Sequence, residues 1–555
     1  MSNLKTPLEM FYHWEQTTPG SVFLRQSLGN GEWQEITWSQ FADRVRRLAS
    51  FIYNHLEQRG LSSGSRVSVW STNTVEWIIA DFAISLSGHI NVPLYPTQDQ
   101  DSARYILSHA EVELIFLGET ALGDGVLPVL PKSATKVALN KCNDTVANQC
   151  DFRFPQLIEA FEPYPASPIP NERDLFSIMY SSGTTGSPKG VMLHQLSPAL
   201  AAESFARWLS HDESESGAER PRLFSYLPLA HALERMLLLM PGLYHNAMIS
   251  VSAGPEHMPV ELSSVQPHVF LAVPRIWSKL KEAISAQISP ATPSNMAPSE
   301  KRALIYQVGL GSARRLMTGA APLAQDVHAW YLSLGLHLCE GYAMTECAGG
   351  GVSWQSEDPP IPGCVGTPMC DTEVAIAEDG EVCLKSKALM LGYFKEDQKT
   401  EQVFSNGWYH TGDQGRLDDQ GRLWLSGRLG EVFKTSKGKF VAPSQLESRF
   451  GFVQEASQWM AFGHGEDQPK MLCTLSATGQ SSDTAEVESA LRNALERVNP
   501  GLSRHEQISQ IIVIQEEWTT SSGLLTPTLK MKRKQIAAKY ASRIKQAAAL
   551  GDIVW

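Results

Sequence analysis

The sequence predicts an α/β protein with a large N-terminal domain, in which helices cover doubly wound sheets, and a small C-terminal α+β domain. Three observations support this fold class. The 555 residues are too many for one hydrophobic core, and strand and helix patterns alternate along the first part of the chain. A smaller segment of mixed pattern begins near "SGRLGEVFKTSKGK". We therefore place the two domains at residues 1–429 and 430–555.

The first long helix is predicted in "ITWSQFADRVRRLASFIYNHLEQRG". Its apolar residues recur at the spacing of one helix face. They are Phe41, Val45, Leu48, Ile52 and Leu56. Gly60 is a residue type that commonly ends a helix.

The elements after this helix alternate in type. In chain order, "RVSVW" reads as a strand, "TVEWIIADFAISLSG" as a buried helix, "INVPLYP" as a strand, "DSARYILSHA" as a helix and "VELIFLG" as a strand. This order implies a parallel sheet covered on both faces.

Three further segments have a distinct composition. The charged stretch 211–222 and the Pro/Ser/Ala-rich stretch 289–300 are predicted to be exposed loops. The segment "KRKQIAAKYASRIKQAAAL" near the C-terminus predicts one basic amphipathic helix. We interpret its charged side as a solvated face rather than a membrane anchor.

Composition favours a soluble cytoplasmic protein. Hydrophobic residues make up 43% and charged residues 19% of the chain, and the net charge of −12 disfavours a nucleic-acid binder. Eight cysteines without a CxxC pair indicate reduced thiols. The first residues lack the apolar core of a signal peptide. The most apolar stretch, from Met236, is interrupted by Pro241 and His245, so we expect no transmembrane segment and at most peripheral membrane contact.

The segment "YSSGTTGSPKG" at residues 180–190 has the chemistry of a phosphate-binding loop. Its glycines allow close approach of the backbone, its hydroxyl groups donate hydrogen bonds, and Lys189 carries a positive charge. It is not a Walker loop, because Pro188 precedes the lysine and Gly190 follows it. The apolar run "VML" comes next, which predicts that the loop joins two strands.

Several motifs follow this loop in a characteristic order. They are "YLPLAHALER", "VPRIW", "GAAP", "GYAMTE", "WYHTGD", "SGRLGEVFKTSKGKFVAPSQLE" and "LLTPTLKMKR". Together with the loop they resemble the AMP-forming adenylating superfamily of acyl-CoA synthetases, luciferases and adenylation domains, and most closely its long-chain fatty acyl-CoA synthetase branch. The resemblance covers nearly the whole chain. It implies that ATP and a carboxylate form an acyl adenylate, which coenzyme A then converts to a thioester.

The resemblance implies roles for the residues nearest the phosphates. Thr184, Thr185, Gly186 and Lys189 match the mobile loop that grips the β- and γ-phosphates. Glu346 matches the ligand of Mg²⁺, for which carboxylate oxygens are suited. Thr345 matches the hydroxyl that faces the α-phosphate.

Other matches concern the nucleoside. Tyr342 matches the ring that stacks on adenine, Asp413 the carboxylate that accepts both ribose hydroxyls, and Arg428 the arginine that braces ribose and phosphate. Four residues match the backbone segment beside adenine: Gly319, Ala320, Ala321 and Pro322.

The remaining matches concern the acyl group and the second step. Lys530 matches the lysine that bridges the substrate carboxylate and the α-phosphate, and His231 the residue that lines the carboxylate. Lys434 and Gly438 match residues that enter the site only after the mobile small domain rotates. The residues that bind the phosphates of coenzyme A are not identified.

The chain departs from the family pattern at four positions: Gln195, Ala343, Gly427 and Gly430. None of these departures removes a group that the resemblance places on the reacting atoms, so they bear on substrate preference and on the timing of the domain movement rather than on activity. Three alternatives to a long-chain acyl-CoA synthetase remain. They are a medium-chain or aryl acid–CoA ligase, an acyl-AMP ligase that loads a carrier protein, and a nucleotide-binding regulatory protein without activity.

Overall fold

The computed structural model of the chain describes residues 4–181, 187–209, 219–288, 292–369, 371–526, 529–547 and 550–555. Its strands are β1 (Val22–Ser27), β2 (Trp33–Thr37), β3 (Arg66–Trp70), β4 (Ile90–Asn91), β5 (Val112–Leu117), β6 (Thr135–Ala138), β7 (Phe152–Arg153), β8 (Leu175–Ser181), β9 (Lys189–His194), β10 (Arg222–Ser225), β11 (Met248–Val251), β12 (Val269–Ala272), β13 (Arg315–Thr318), β14 (Leu338–Ala343), β15 (Gly351–Ser353), β16 (Cys364–Pro368), β17 (Thr372–Ile376), β18 (Glu381–Ser386), β19 (Gly392–Tyr393), β20 (Phe404–Ser405), β21 (Trp408–Leu417), β22 (Leu423–Arg428), β23 (Phe433–Lys434), β24 (Phe440–Val441), β25 (Ala456–Phe462), β26 (Lys470–Leu475), β27 (Gln510–Ile514) and β28 (Ile553–Val554).

Helices of very different length connect these strands. They are α1 (Pro7–Thr17), α2 (Trp38–Gln58), α3 (Val75–Leu86), α4 (Gln100–His109), α5 (Asp144–Ala147), α6 (Phe154–Ala160), α7 (Ser197–Glu203), α8 (Ala206–Leu209), α9 (Ala232–Glu234), α10 (Met240–Tyr244), α11 (Met258–Val265), α12 (Pro274–Ile288), α13 (Pro298–Gln307), α14 (Gln325–Ser333), α15 (Asp397–Val403), α16 (Pro443–Ser448), α17 (Ala477–Ser481), α18 (Thr484–Val498), α19 (Arg533–Lys539) and α20 (Ala541–Ala547). A π-helical turn, Arg235–Leu239, joins α9 to α10.

Two large sheets form the N-terminal part of the molecule. The first has the order β17-β18-β21-β22-β16-β15-β14-β13-β12-β10-β11-β1-β2, with β20 on β21, and the second has the order β19-β9-β8-β4-β3-β5-β6-β7. Strands β10 to β14 pair in parallel within the first sheet, and β3 to β7 do so within the second. A four-stranded sheet, β25 to β28, forms the C-terminal part with its own apolar core. The predicted fold class is therefore confirmed.

The predicted elements of the first part are found with small changes in length. Helix α2 buries the predicted apolar face, and Gly60 follows it with a φ of 72°. In "INVPLYP" only Ile90 and Asn91 form a strand, because Pro93 and Pro96 have no N–H to donate to a ladder. Strands β8 and β9 pair antiparallel, so the glycine-rich segment joins two strands as predicted.

Two predictions on local structure are corrected. The proposed loop 289–300 ends early, because Pro298 begins α13 and the Glu300 side chain accepts the N–H of Ala297. The single C-terminal helix is instead two helices, α19 and α20, that meet at Tyr540. Ile536 of the first and Ala547 of the second lie in the same core, so the bend lets both be buried.

Among the described residues no helix is both long enough and apolar enough to cross a lipid bilayer. The stretch from Met236 is instead part of the core of the large domain, where Leu238 and Leu239 are buried. The division of the chain at residue 430 stays a prediction.

Candidate active site

A cleft of about 2670 Å³ is lined by residues of both the N-terminal and the C-terminal part. Many of the residues predicted from sequence line it. They are Lys189, His231, Ala320, Ala321, Pro322, Tyr342, Thr345, Glu346, Asp413, Arg428 and Lys530. The structure thus brings together groups that are more than 300 residues apart in the chain. Thr184, Thr185 and Gly186 lie outside the described residues.

Asp413 lies on β21, in a bulge that interrupts the pairing of this strand with β18. Gly412 has a φ of 71°, and the N–H of Asp413 donates to Thr411 Oγ1 at 3.1 Å. The carboxylate accepts the Tyr342 hydroxyl at 2.6 Å on Oδ2 and lies 2.8 Å from Arg428 Nε through Oδ1. Burial raises the pKa of Asp413, while Arg428 and Tyr342 favour its ionised form. Since a carboxylate has about four lone-pair sites, two remain for a diol.

Tyr342 lies on β14, next to the loop that follows β13. Tyr342 lines the cleft although only 8% of the residue is exposed, and its hydroxyl is bonded to Asp413. Ala320 has a left-handed φ of 68°, and residues 320–322 of this loop line the cleft. A Cβ on Gly319 would stand 3.3 Å from the Gly341 carbonyl oxygen, so a small residue is favoured there. This surface suits a flat, apolar base edge.

Glu346 sits in the short 3₁₀ helix Thr345–Cys347, which directly follows β14. Its Oε1 accepts the Tyr393 hydroxyl at 3.0 Å, and the Tyr393 and Tyr409 hydroxyls are 3.2 Å apart. The Lys189 ammonium lies over the Tyr393 ring, 4.8 Å from its centroid. Glu346 has no ion-pair partner among the described residues, and its oxygens are the hard donors that Mg²⁺ prefers.

Lys530 reaches the cleft from the C-terminal part. Its backbone is held in a tight turn, because its N–H donates to Thr526 Oγ1 at 3.1 Å and its carbonyl accepts the Thr526 N–H at 2.8 Å. Burial and the charge of Arg428 lower the pKa of Lys530, and Asp413 and Glu346 oppose this shift. A cation in such a place stabilises negative charge that develops beside it.

His231 is half-buried at the start of α9. Its Nδ1 accepts the N–H of Leu233 at 3.0 Å, which leaves the ring proton on Nε2. Burial, with a smaller contribution from Lys530, lowers the pKa of His231 to about 4. The ring is therefore a neutral hydrogen-bond donor on the wall of the cleft at physiological pH.

Lys434 and Gly438 do not line the cleft. They lie in the hairpin of β23 and β24, where the Lys434 ammonium is 4.7 Å from the centroid of the Phe440 ring and Gly438 has a φ of 71°. Lys530 occupies the cleft in this arrangement. The predicted entry of Lys434 and Gly438 after a domain rotation stays a prediction.

The residues around Gly430 connect the two parts of the chain. On one side, the N–H of Leu429 donates to the Gly412 carbonyl at 2.9 Å. On the other side, Glu431 Oε2 accepts from Arg533 Nε at 2.9 Å. Arg533 also binds both oxygens of Glu447. The N–H groups of Glu431 and Val432 also donate to the Arg428 carbonyl at 3.0 and 3.1 Å, so Gly430 lies in a turn between the last strand of the large part and the first contacts of the small part.

Sequence reasoning missed three of these groups: Tyr393, Tyr409 and Arg533. Tyr393 meets Glu346 across 47 positions, and Arg533 meets Glu431 across 102 positions. No local pattern marks such pairs, because tyrosines and arginines occur throughout the chain. "LKMKR" contains Arg533, but its run of cations gives no sign that one of them forms partly buried ion pairs with Glu431 and Glu447.

Comparison with known proteins defines the class to which this fold and cleft belong. The AMP-binding enzyme family matches residues 11–394, and the AMP-binding enzyme C-terminal domain matches residues 431–549. The chain belongs to the AMP-binding enzyme family. It is an AMP-forming acid–thiol ligase, and the predicted recognition and enzyme class are confirmed.

The curated relatives match almost the full length. The long-chain-fatty-acid–CoA ligase FadD15 of Mycobacterium bovis is 27% identical over 600 residues, which cover 96% of this chain and 96% of the relative. Long-chain-fatty-acid–CoA ligase 5 of Rattus norvegicus is 26% identical over 614 residues, covering 98% and 88% of the two chains.

Solved structures share the fold at lower sequence identity. The A domain of the carboxylic acid reductase of Segniliparus rugosus, in complex with AMP and a carboxylic acid, superposes with a TM-score of 0.81 at 18% identity, covering 98% of this chain and 94% of that one. The anthranilate–CoA ligase AuaEII, in complex with anthranoyl-AMP, gives a TM-score of 0.78 at 20% identity and covers 99% of both chains.

Proposed function

We propose that the protein activates long-chain fatty acids with ATP and transfers the acyl group to coenzyme A, releasing AMP and pyrophosphate. The observation that carries the proposal is the meeting of Lys530, from the C-terminal part, with Asp413, Arg428 and Glu346 in one cleft. The full-length relatives named as long-chain-fatty-acid–CoA ligases support the substrate class.

In the first step, the site would hold ATP at both of its ends. Asp413 accepts the ribose hydroxyls, Tyr342 packs on adenine beside the loop 319–322, and Lys189 pairs with the outer phosphates together with Thr184, Thr185 and Gly186. Glu346 would hold Mg²⁺, which neutralises phosphate charge when it is bound. Thr345 donates to the α-phosphate.

Lys530 would orient the two reacting groups. A substrate carboxylate attacks the α-phosphate, the bond to pyrophosphate breaks, and negative charge grows on the phosphoryl oxygens. The Lys530 ammonium stabilises that charge and pairs with the attacking carboxylate at the same time. The neutral Nε2–H of His231 donates a hydrogen bond to the carboxylate without competing for its charge.

The second step requires a different set of residues. We propose that the small domain, residues 430–555, rotates about Gly430 so that Lys530 leaves and Lys434 and Gly438 enter. The thiol of coenzyme A then gives up its proton to solvent and its sulfur attacks the acyl carbonyl, the bond from the acyl carbon to the phosphate oxygen breaks, and AMP leaves. A cytoplasmic location belongs to the same proposal.

The wall of the cleft near His231 offers space for an acyl chain. Leu233 and Gly349 line it, and a Cβ on Gly349 would stand 3.1 Å from Leu237 Cγ. A side chain at 349 would therefore occupy space beside this apolar surface. This apolar lining favours a hydrocarbon tail over a short polar acid.

The experiment is to measure AMP and pyrophosphate release over a panel of carboxylic acids, with and without coenzyme A. We expect turnover with long-chain fatty acids that needs ATP, Mg²⁺ and coenzyme A. Turnover confined to aryl or medium-chain acids would contradict the substrate class. Stoichiometric pyrophosphate release that coenzyme A does not accelerate would favour a ligase that loads a carrier protein.

A further inference from the structure

Three potential metal ligands lie together on neighbouring strands beside the cleft. Glu381 and Cys383 are two positions apart on β18, so their side chains point to the same face of the sheet. His410 lies on β21 directly opposite Cys383. The ligand atoms of the three residues all lie within 4.8 Å of one another.

The distances between these atoms are close to those of a metal site. His410 Nδ1 is 3.6 Å from Cys383 Sγ and 2.7 Å from Glu381 Oε2. Around a tetrahedral Zn²⁺ with ordinary bond lengths, the corresponding separations are about 3.6 Å and about 3.3 Å. Of these two pairs, the first already has the required separation, and the imidazole and the carboxylate have to move apart by about 0.6 Å on that geometry.

The surroundings leave room for a fourth ligand. Glu381 and His410 line the cleft, and the His410 side chain is 33% exposed. Cys383 is buried beneath them. Two partly accessible ligands above one buried sulfur resemble a site with three protein ligands and one position open to water.

We propose that Glu381, Cys383 and His410 form a binding site for a divalent transition metal of the Zn²⁺ type. The sulfur and imidazole donors select against Mg²⁺, so the site is chemically distinct from Glu346. When the metal binds, the thiol proton and the proton between Nδ1 and Oε2 leave for solvent, and the metal takes their place.

The site is joined to the nucleotide-binding segment. Glu381 Oε1 accepts the N–H of Gly412 at 2.7 Å, and this bond is compatible with a metal on Oε2. Gly412 precedes Asp413 in the bulge. A metal bound at this site would therefore fix the Glu381 carboxylate, which accepts the hydrogen bond from Gly412.

The test is a titration of the purified full-length protein with Co²⁺, used as a probe for Zn²⁺. We expect one equivalent to produce visible bands of tetrahedral Co²⁺ and a thiolate-to-metal charge-transfer band. Cys383→Ser and the more exposed His410→Asn should each lose the charge-transfer band or weaken binding at least tenfold. Cys142→Ser removes a half-buried thiol elsewhere and should keep the full spectrum.

Absence of the charge-transfer band in the folded wild-type protein would overturn the proposal. So would a band that persists in Cys383→Ser or disappears in Cys142→Ser. Thermal melting of each variant without metal checks that the fold is retained. The spectra are recorded without ligase turnover, so a negative result would reject the metal site without bearing on the proposed function.

Discussion

At the scale of single residues, Lys530 provides the sharpest test of the proposed chemistry. Removing a preorganised charge beside a developing oxyanion typically lowers the rate by about 10²–10³. We therefore expect Lys530→Ala to reduce pyrophosphate release by that factor while thioester formation from a supplied acyl adenylate is spared. Both half-reactions are measured separately in the purified variant.

The matched control is Lys534→Ala. Lys534 belongs to the same run of basic residues but is exposed on α19 and does not line the cleft. It should retain both half-reactions. Equal losses of both half-reactions in Lys530→Ala would instead assign Lys530 a structural role.

A second residue-scale prediction concerns Glu234, which is fully buried in α9. Burial raises its pKa to about 8, against the opposing hydrogen bonds with Ser225 and Tyr226. The folded state thus retains a proton that the unfolded state loses near pH 4.5. Stability from this group is present below pH 4.5 and is lost as the pH rises through about 8.

We expect the urea concentration at the unfolding midpoint of the wild-type protein to decrease as the pH rises from 6.5 to 8. Over most of this range His231 is neutral in both the folded and the unfolded state, so it contributes little to the change of stability with pH. A difference of one bound proton between the folded and the unfolded state changes the free energy of unfolding by about 1.4 kcal/mol per pH unit. Glu234→Gln cannot titrate and should flatten most of this dependence. An unchanged slope in the variant would mean that another group causes it.

The residues of the site were predictable to the extent that they belong to contiguous motifs. Asp413 in "WYHTGD" and Glu346 in "GYAMTE" are marked by their neighbours and lie in the cleft. Tyr393 and Arg533 were not marked, because their functional contacts are made only after distant strands and helices pack together. The bond between the Tyr342 hydroxyl and Asp413 depends on the same long-range packing.

At the scale of elements, a buried ion pair joins α3 to the π-helical turn after α9. Arg235 Nε and Nη2 lie 2.9 and 2.6 Å from the two oxygens of Asp81, and the side chains are 0% and 3% exposed. Arg235 Nη1 also donates to Ser177 on β8 at 2.7 Å. This pair fixes the turn that leads from His231 into the core.

We expect Asp81→Asn to lower the free energy of unfolding by about 3–5 kcal/mol, because it leaves a buried guanidinium without its counter-charge. Urea denaturation followed by tryptophan fluorescence measures the change. Asp43→Asn is the comparison, since Asp43 pairs with Arg47 on the exposed face of α2. It should cost less than about 1 kcal/mol. Similar losses in the two variants would contradict the importance of burial.

Local sequence patterns predicted the existence of elements better than their ends. The apolar spacing from Phe41 to Leu56 fixed helix α2, whose capping box at Thr37 and Gln40 sets its first turn. The strand at Ile90 is shorter than predicted because two prolines follow it, and an apolar pattern does not register that a proline cannot donate to the sheet. The bend at Tyr540 lets two helices pack into the same core. The spacing of apolar residues within one segment does not predict such a bend.

At the scale of the whole molecule, Gly430 is predicted to be the hinge between the half-reactions. Nothing lies within 4 Å of the place where its Cβ would stand. Gly430→Pro would fix φ near about −65° and hold one domain orientation. We expect it to fold, to keep one half-reaction near the wild-type rate and to lose most of the other.

Gly430→Ala is the control, because a methyl group fits the open space and restricts φ far less than a proline ring does. It should retain most of both activities. Timing pyrophosphate release and thioester formation separately distinguishes the outcomes. If both rates in the proline variant stay within a few-fold of wild type, the hinge lies elsewhere.

The contacts on either side of Gly430 determine which mutations can change domain orientation without also changing nucleotide binding. Arg428 pairs with Asp413, and the N–H of Leu429 donates to the Gly412 carbonyl, so the residues proposed to hold ribose are joined directly to the segment proposed as the hinge. On the proposed mechanism, we expect a substitution of Asp413 or Arg428 to change nucleotide affinity and domain orientation together. A side chain at Gly430 would meet no described atom within 4 Å of its Cβ, so we expect a substitution there to alter domain orientation without a direct change at the nucleotide.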